Sequence, residues 1–283
     1  MLDIAIIGSG PAGMSAAINV KNRNKDVMIF GNDYSTSLLY KAEKVNNYLG
    51  FYDISGKELL DNYYNHCISM GVNITNKRVI EIYEMGTHFV LNVENDFIEA
   101  KSVIITNGIS KKQTINKEDD YIGKGVSYCA TCDGNLYKGK DVVVIAESDH
   151  AESEANFLSE LCSKVTYIPT YKDIKNLNSN IEIEFDKPKE VIGDNVVQQL
   201  KLANKTIDTN AIFIINNSIA PSKLIKNIEL NGQYIKVDQK MRTNIKGLFA
   251  AGDCVGGLFQ VSKATGEAQV AALNAVEYVS NLK

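Results

Sequence analysis

Residues 2–20 read LDIAIIGSGPAGMSAAINV, which is the pattern of a strand, a tight turn and a helix. The apolar run at residues 4–7 is typical of a strand buried on both faces of a parallel sheet. The glycine-rich turn GSGPAG follows at residues 8–13, and residues 14–20 have helical character. A second strand at residues 26–30 closes a βαβ unit. The chain therefore begins with a Rossmann-like unit.

The turn has the spacing G-x-G-x-x-G. Gly8 permits the tight turn, Gly10 lets a pyrophosphate approach the backbone, and Gly13 lets the helix pack close to the strand. The pyrophosphate then rests on the helix N-terminus. Placed between a buried strand and a helix, the motif predicts a dinucleotide-binding site rather than a purely structural turn. An acidic residue for the ribose is expected about 20 residues further on, and Asp33 is the candidate.

Composition excludes several classes of protein. The chain has 283 residues, 45% of them hydrophobic and 23% charged, which indicates a folded globular protein of about two domains. A net charge of −4 provides no basic footprint for nucleic acid. No apolar run approaches the ~20 residues of a membrane span, and the first strand leaves no room for a signal peptide. We therefore expect a cytoplasmic enzyme.

A second unit begins near residue 113. It contains a strand, turn and helix at residues 141–161, and further strands are indicated at 165–168 and 211–215. We predict an α/β fold of two Rossmann-like, three-layer (ββα/βαβ) domains, with the second inserted in the first. The predicted first domain is discontinuous, and the predicted boundaries are residues 1–112 with 241–283 for the first domain and 113–240 for the inserted one.

The motif Cys129-x-x-Cys132, followed by Asp133, predicts redox chemistry. Two thiols at this spacing can close a reducible disulfide, and the local field can lower the pKa of one of them. The alternatives are half of a zinc site or two unreactive thiols. A structural zinc site usually needs four ligands, whereas the other three cysteines are isolated and the three histidines have no ligand spacing. Redox chemistry is therefore favoured, and no metal is predicted.

A third motif, Gly252-Asp253, ends an apolar strand near the C-terminus. The Asp253 carboxylate could hydrogen-bond the polyol chain of a bound flavin. Gly-Asp pairs also occur in ordinary turns, so the motif by itself leaves both readings open.

Together these motifs resemble the low-molecular-weight thioredoxin reductases. The matching segments are GSGPAG at residues 8–13, SYCATCDG at 127–134, GLFAAGDC at 247–254 and the helix at 264–272, in the same order along nearly the whole chain. The resemblance implies that the first and last segments bind FAD and that the inserted domain derives from one that binds NADPH. Two departures are TNG at 106–108 for the usual ATG, and Leu49 in place of a proline.

The resemblance also assigns flavin-proximal residues. VNNY at residues 45–48 resembles the family's VENW, and Gln260 falls where a glutamine meets the flavin. The implied cofactor-binding residues are Gly8, Gly10, Pro11, Ala12, Gly13, Asp33, Asn47, Gly108, Gly252, Asp253, Gln260 and Val261.

The inserted domain departs from the family at its own glycine turn. The family's GGGxxA is AESDHA at residues 146–151, so Cβ atoms occupy the space that a pyrophosphate needs. The turn also contains two carboxylates, and a carboxylate ~4 Å from a phosphate costs roughly 4 kcal/mol at an effective dielectric constant of ~20. The family's HRR cluster for the 2′-phosphate is replaced by PTY at residues 169–171. We therefore predict a degenerate domain that does not bind NADPH.

A smaller group of the family, the ferredoxin-dependent flavin thioredoxin reductases, lacks the same motifs, and this chain resembles that group best. The resemblance implies a homodimer that takes electrons from reduced ferredoxin through FAD and passes them to thioredoxin. It also implies that Cys132 faces the flavin, that Cys129 attacks the thioredoxin disulfide, and that Asp133 acts as general acid and base.

Three alternatives remain from the sequence. One is a dithiol oxidase that passes electrons from substrate thiols through FAD to oxygen. Another is a two-flavin disulfide oxidoreductase, in which a second flavin occupies the degenerate site. The third is a flavin-binding sensor or scaffold without turnover, although such a protein has no need for the reactive pair in CATCD.

Overall fold

A computed structural model describes residues 1–37, 39–94, 96–108, 115–147, 149–215 and 220–282, without the side chains of Cys132, His150 and Ser222. Within these ranges the helices are α1 (Pro11–Lys21), α2 (Gly56–Ser69), α3 (Ala130–Asp133), α4 (His150–Leu161), α5 (Pro221–Leu224) and α6 (Val261–Ser280). No helix in these ranges has the length and hydrophobicity needed to span a bilayer.

The strands of the same ranges are β1 (Leu2–Ile7), β2 (Val27–Phe30), β3 (Asn73–Thr75), β4 (Val79–Glu84), β5 (Phe89–Val93), β6 (Asp96–Ile105), β7 (Val126–Ser127), β8 (Asp141–Ala146), β9 (Lys164–Pro169), β10 (Glu182–Ile183), β11 (Pro188–Gly193), β12 (Val197–Leu202), β13 (Thr206–Asp208), β14 (Ala211–Ile215), β15 (Leu230–Asn231), β16 (Tyr234–Ile235) and β17 (Leu248–Ala250).

The chain forms two compact units. Unit 1 comprises Met1–Ser110 and Ala220–Lys283, and unit 2 comprises Lys111–Ile219. Unit 2 is therefore inserted in unit 1.

Unit 1 is built on a mixed sheet whose described strands have the order β3-β2-β1-β6-β5-β4, with β17 also paired to β6. β1, β2, β3 and β17 run parallel to their neighbours, whereas β4 and β5 are antiparallel. β6 joins the two parts, because residues 96–100 pair with β5 and residues 102–105 pair with β1.

Small side chains let α1 and α6 pack closely in the core of unit 1. Ala16 and Ala17 of α1 are fully buried, as are Ala268, Ala271 and Ala275 of α6. Helices that meet through such small residues can approach closely. This packing brings the beginning and the end of the chain together.

Unit 2 contains a parallel sheet with the order β10-β9-β8-β14-β7, counted over its described residues. α4 follows β8 and packs against the sheet through Ala151, Ala155 and Leu158. An antiparallel sheet, β11-β12-β13, completes the unit. The predicted α/β class with two Rossmann-like units is confirmed.

One predicted boundary differs from the structure. The sequence prediction placed residues 220–240 in the inserted domain, whereas the structure places them in unit 1. Leu224 and Ile225 are buried, and Ile225 forms a parallel bridge to Ile82 of β4. Because these two side chains are buried in unit 1, the chain re-enters unit 1 at Ala220 rather than at residue 241. The first boundary, predicted at 112, lies outside the described residues.

Candidate functional site

The glycine turn after β1 is closed on one side and open on the other. Gly8 has φ +118°, and a Cβ there would lie 2.3 Å from the Thr106 carbonyl oxygen. A Cβ on Gly13 would lie 1.8 Å from the Gly8 carbonyl oxygen. At Gly10, by contrast, no atom lies within 4 Å of the added Cβ. The backbone is therefore exposed at the position where a phosphate is expected to approach.

The N-terminus of α1 faces the same opening. Gly10 is the N-cap and Pro11 the first helical residue, and no side chain caps the helix. The N–H groups of the first turn, including those of Ala12 and Gly13, have no partner within the helix. This arrangement suits an anionic ligand.

The C-terminal Gly-Asp motif lies beside this turn. Gly252 follows β17 and has φ +84°, and a Cβ there would lie 3.0 Å from the Ala12 Cβ. Thr106, at the end of the intervening strand β6, donates hydrogen bonds to the carbonyl oxygens of Ile7 and Gly8 at 2.9 and 3.2 Å. Gly108 follows, with open space around its Cβ position. These segments meet at the carboxyl ends of parallel strands, where α/β sheets bind ligands.

Asp253 is half-buried in this region. Burial raises the pKa of its carboxyl group, the Lys263 ammonium opposes that rise, and Glu267 adds to it. No described residue donates a hydrogen bond to the Asp253 carboxylate. The carboxylate is therefore available to accept hydrogen bonds from a ligand.

The two predicted flavin-proximal side chains meet each other. The Asn47 amide donates a 2.6 Å hydrogen bond to the Gln260 side-chain oxygen. Gln260 is the N-cap of α6, and Val261 begins the helix and packs beside Val45 and Ile54. The structure thus brings Asn47, Gln260 and Val261 together.

Asp33 has a different local role in the structure. Its carboxylate accepts a 2.8 Å hydrogen bond from the Ser35 N–H and caps the short 3-10 helix Tyr34–Thr36. Asp33 is exposed, and its proposed contact with a ribose stays a prediction.

In unit 2, Cys129 is 4% exposed and is in a disulfide bond. Cys132 lies in α3, but its side chain is outside the described part of the chain. The Thr131 hydroxyl lies 3.3 Å from the Cys129 sulfur. α3 begins directly after Cys129, so the sulfur is held at the N-terminal end of a short helix.

Ser127 connects Cys129 to Asp133. Its hydroxyl donates a 2.7 Å hydrogen bond to the Asp133 carboxylate and accepts a 3.1 Å bond from the Cys129 N–H. The Asp133 N–H in turn donates to the Cys129 carbonyl oxygen at 3.2 Å. The half-buried Asp133 carboxylate is therefore oriented from both ends of the motif. Ser127 was not among the predicted site residues.

Glu154 is a second residue that the sequence did not indicate. Its carboxylate accepts a 2.9 Å hydrogen bond from the Ala130 N–H, at the start of α3. α4 thereby anchors the helix that carries the cysteine pair. The spacing from the cysteines to Glu154 is too long for a local motif, so only tertiary structure reveals the contact.

Directly after the second turn, a buried carboxylate of α4 is bonded to the segment that follows β9. Glu152, in the first turn of α4, is 2% exposed. Its carboxylate accepts hydrogen bonds from the Tyr171 hydroxyl at 2.5 Å and from the Lys175 and Asn176 N–H groups at 3.1 and 2.5 Å. Burial and the adjacent Glu152 carboxylate raise the pKa of Tyr171, so its hydroxyl remains a donor.

Two further contacts lie around Glu152. Tyr167 and Tyr171 are joined by a 2.9 Å hydrogen bond between their hydroxyls. The Lys175 ammonium lies 3.6 Å from the Asp149 carboxylate. The segment after β9 is thus fastened to the N-terminal end of α4 by two carboxylates. Ser148, in the middle of the turn, lies outside the described residues.

The remaining cysteines are free thiols. Burial raises the pKa of Cys67 and of Cys254 to about 12, and burial also raises that of Cys162. A thiol is a poor nucleophile when its thiolate is suppressed. These three residues therefore have the character of structural cysteines.

Comparison with known proteins identifies the family. The model for the pyridine nucleotide-disulphide oxidoreductases matches residues 2–268. The chain belongs to this family. Among its relatives in the family, thioredoxin reductase of Bacillus subtilis (strain 168) is 30% identical over an alignment of 302 positions, gaps included, which covers 99% of this chain and 96% of that protein. The resemblance to thioredoxin reductases is confirmed.

Solved structures of this family extend the comparison. A ferredoxin-flavin thioredoxin reductase from Clostridium acetobutylicum superimposes with a TM-score of 0.94 at 48% identity, covering 99% of this chain and 97% of that one. The atypical thioredoxin reductase TRi from Desulfovibrio vulgaris Hildenborough superimposes with a TM-score of 0.70 at 28% identity, covering 99% and 98%.

Proposed function

We propose that this protein is a flavin disulfide oxidoreductase that reduces thioredoxin through Cys129 and Cys132, with electrons from reduced ferredoxin through FAD. The observation that carries the proposal is a contrast between the two turns. The turn of unit 1 is open at Gly10, whereas in unit 2 the buried Glu152 carboxylate, directly after the corresponding turn, is bonded to the segment after β9. This contrast supports the binding of one dinucleotide cofactor, in unit 1, and argues against a pyridine nucleotide in unit 2.

The residues of unit 1 fit FAD. Gly10 and the uncapped N-terminus of α1 provide backbone N–H groups for a pyrophosphate. Asp253 provides a carboxylate acceptor for the polyol hydroxyls, and Asn47 and Gln260 provide side-chain amides. When bound, FAD supplies electrons to a disulfide in pairs and takes them up singly from a one-electron donor.

The residues of unit 2 carry the exchange with thioredoxin. The Cys129 thiolate attacks one sulfur of the thioredoxin disulfide, whose S–S bond breaks as a mixed disulfide forms. Asp133 first takes the proton of the Cys129 thiol, which forms the attacking thiolate, and then gives that proton to the departing thioredoxin thiolate. Cys132 then attacks the Cys129 sulfur, which re-forms the Cys129–Cys132 disulfide and releases the second thioredoxin thiolate. Ser127 orients Asp133 for the proton transfer through its 2.7 Å hydrogen bond.

Ferredoxin as the donor rests on two supports. The 48% identical Clostridium acetobutylicum protein is a ferredoxin-flavin thioredoxin reductase, and the second turn of this chain has the sequence AESDHA, without glycine and with two carboxylates, where NADPH would need a glycine-rich turn. The energetics agree, because a plant-type ferredoxin at about −400 mV lies ~130 mV below thioredoxin, which corresponds to roughly 6 kcal/mol for two electrons. We further propose that the protein is cytoplasmic, since a disulfide that must be reduced repeatedly suits a reducing compartment. We also propose a homodimer, as the family resemblance implies.

The test is an anaerobic titration of the purified holoprotein, monitored by the absorbance of oxidised flavin. NADPH and NADH are added first, followed by reduced ferredoxin and then oxidised thioredoxin. We expect bleaching by ferredoxin alone and recovery of the absorbance on addition of thioredoxin. Stoichiometric bleaching by either nucleotide would show that the donor assignment is wrong.

A variant with both Cys129→Ser and Cys132→Ser is the matched control for this titration. Ferredoxin should still bleach its flavin, whereas thioredoxin should restore no absorbance. Rapid reoxidation of the wild-type protein by air, with consumption of small thiols, would instead identify a dithiol oxidase.

A further inference from the structure

Two side chains of α6 hold the turn that contains Asp253. Lys263 donates hydrogen bonds to the carbonyl oxygens of Gly252 and Gly256, at 3.2 and 2.5 Å. Glu267, one helical turn further along, accepts a 3.0 Å hydrogen bond from the Gly252 N–H. The Lys263 ammonium and the Glu267 carboxylate are themselves 3.0 Å apart. The N–H and the carbonyl group of Gly252 are thus both bound by this pair.

This pair differs from an ordinary surface ion pair in its burial. The side chains of Lys263 and Glu267 are each 20% exposed, whereas those of Lys57 and Asp61, an i,i+4 pair in α2, are 59% and 30% exposed. Exposed pairs contribute little, because water competes with them. The Lys263–Glu267 pair is enclosed, and it contacts backbone groups that lack a regular partner.

The turn that the pair holds does not have an ordinary conformation. Gly252, Gly256 and Gly257 have φ values of +84°, +79° and +80°, all in the left-handed region. Glycines in such a sequence have much conformational freedom, so the turn needs external contacts to stay in one arrangement. Asp253 lies within it. Its orientation is therefore set by contacts that the turn does not supply itself.

We infer that Lys263 and Glu267 are positioning residues that hold Asp253 in place to bind the cofactor. This inference rests on the proposed binding of FAD in unit 1. Lys263 binds the carbonyl oxygens of Gly252, at the start of the 3-10 turn Gly252–Val255, and of Gly256, its C-cap, and Glu267 binds the Gly252 N–H. The pair acts on the cofactor through Asp253 and does not itself have to touch it.

The test measures the dissociation constant of FAD from refolded or dialysed apoprotein, by quenching of flavin fluorescence. Lys263→Met keeps most of the side-chain length but removes the ammonium group. We expect it to weaken FAD binding about tenfold or more. Lys57→Met is the matched control and should bind FAD like the wild type. Titrations run to millimolar FAD keep a large loss measurable.

A double-mutant cycle separates positioning from a general effect on folding. If Lys263 acts through Asp253, Lys263→Met should have little further effect in an Asp253→Asn background. An equal loss in both backgrounds, or unchanged affinity in Lys263→Met, would overturn the inference. Wild-type protein that binds no FAD at all would instead refute the proposed function, so the two failures can be distinguished.

Discussion

The Asn47 amide donates a 2.6 Å hydrogen bond to the side-chain oxygen of Gln260 across 213 positions of sequence. Asn47 follows the short bridge at Val45, and Gln260 is the N-cap of α6. The bond therefore connects an early loop of unit 1 to the start of its last helix. Both residues were predicted to lie near a flavin, and their contact supports a shared site.

We expect Asn47→Ala and Gln260→Ala each to weaken FAD binding several-fold. Both amides are then lost to the cofactor, because the partner that remains is no longer oriented. The double variant should bind FAD with nearly the same affinity as the single variant that binds it more weakly, since the effects of substitutions at residues in direct contact are not additive. Gln199→Ala, which removes a 2.6 Å side-chain bond to Asp208 in unit 2, serves as the control. Fully additive losses would argue against a joint role.

Gly10 and Gly13 should respond differently to alanine. Gly10→Ala meets no atom within 4 Å, so the apoprotein should fold with an unchanged thermal midpoint but bind FAD at least ~10-fold more weakly. Gly13→Ala places a Cβ 1.8 Å from the Gly8 carbonyl oxygen and should not fold normally. Gly266→Ala in α6 also meets no neighbouring atom, so it should leave the FAD affinity unchanged and, as a Gly→Ala change inside a helix, should slightly raise the thermal midpoint. Normal FAD affinity in Gly10→Ala would place the phosphates elsewhere.

Asp133→Asn should slow thioredoxin reduction roughly 100-fold, the usual scale for loss of a general acid or base. Ser127→Ala should give a smaller loss, because it leaves the carboxylate in place but removes its 2.7 Å hydrogen bond. Flavin content and bleaching by ferredoxin should be unchanged in both variants. Ser163→Ala, which removes a 2.6 Å bond to Asp141, is the control. Equal rates in Asp133→Asn and wild type would exclude the proton-transfer role.

Cys132→Ser should trap a stable mixed disulfide between Cys129 and thioredoxin, because the thiol that resolves it is missing. The adduct is measured by mass under non-reducing conditions after mixing reduced variant with oxidised thioredoxin. Cys129→Ser should form none. The reverse pattern, an adduct in Cys129→Ser alone, would exchange the roles of the two cysteines.

Glu152→Ala should destabilise the protein without restoring nucleotide binding. The substitution removes the hydrogen-bond acceptor of the Tyr171 hydroxyl and of the Lys175 and Asn176 N–H groups. A buried donor left unpaired costs about 1–3 kcal/mol. Because Lys175 and Asn176 are exposed and water can hydrate their N–H groups, we expect the free energy of unfolding to fall by roughly 2 kcal/mol in total. Glu160→Gln, on the exposed face of the same helix, should leave the thermal midpoint unchanged. Bleaching of the flavin of the Glu152→Ala variant by NADPH would show that Glu152 alone prevents the nucleotide from binding to unit 2.

The short-range features of this fold were predictable from the sequence. The strand and turn at residues 2–13 and the motif CATCD at 129–133 each depend on neighbours within a few positions. The return of the chain to unit 1 was predicted too late, because the hydrophobic anchors Leu224 and Ile225 are short and lie outside any regular pattern. The antiparallel strands β11 and β13 were missed for a similar reason, since burial does not alternate regularly along β11 and β13 has only three residues, none of them buried.

By itself, the sequence determined the two Rossmann-like units, the glycine turn of unit 1, the CATCD motif and the absence of glycine from the second turn, because spacing within one segment encodes each of them. Tertiary structure alone decided which distant side chains complete the sites. Glu152 meets the segment after β9, and Lys263 and Glu267 meet the Gly252 turn, only after helices have packed on their sheets. A carboxylate or ammonium on a helix has no preferred distant partner until burial removes the water that would otherwise compete for it.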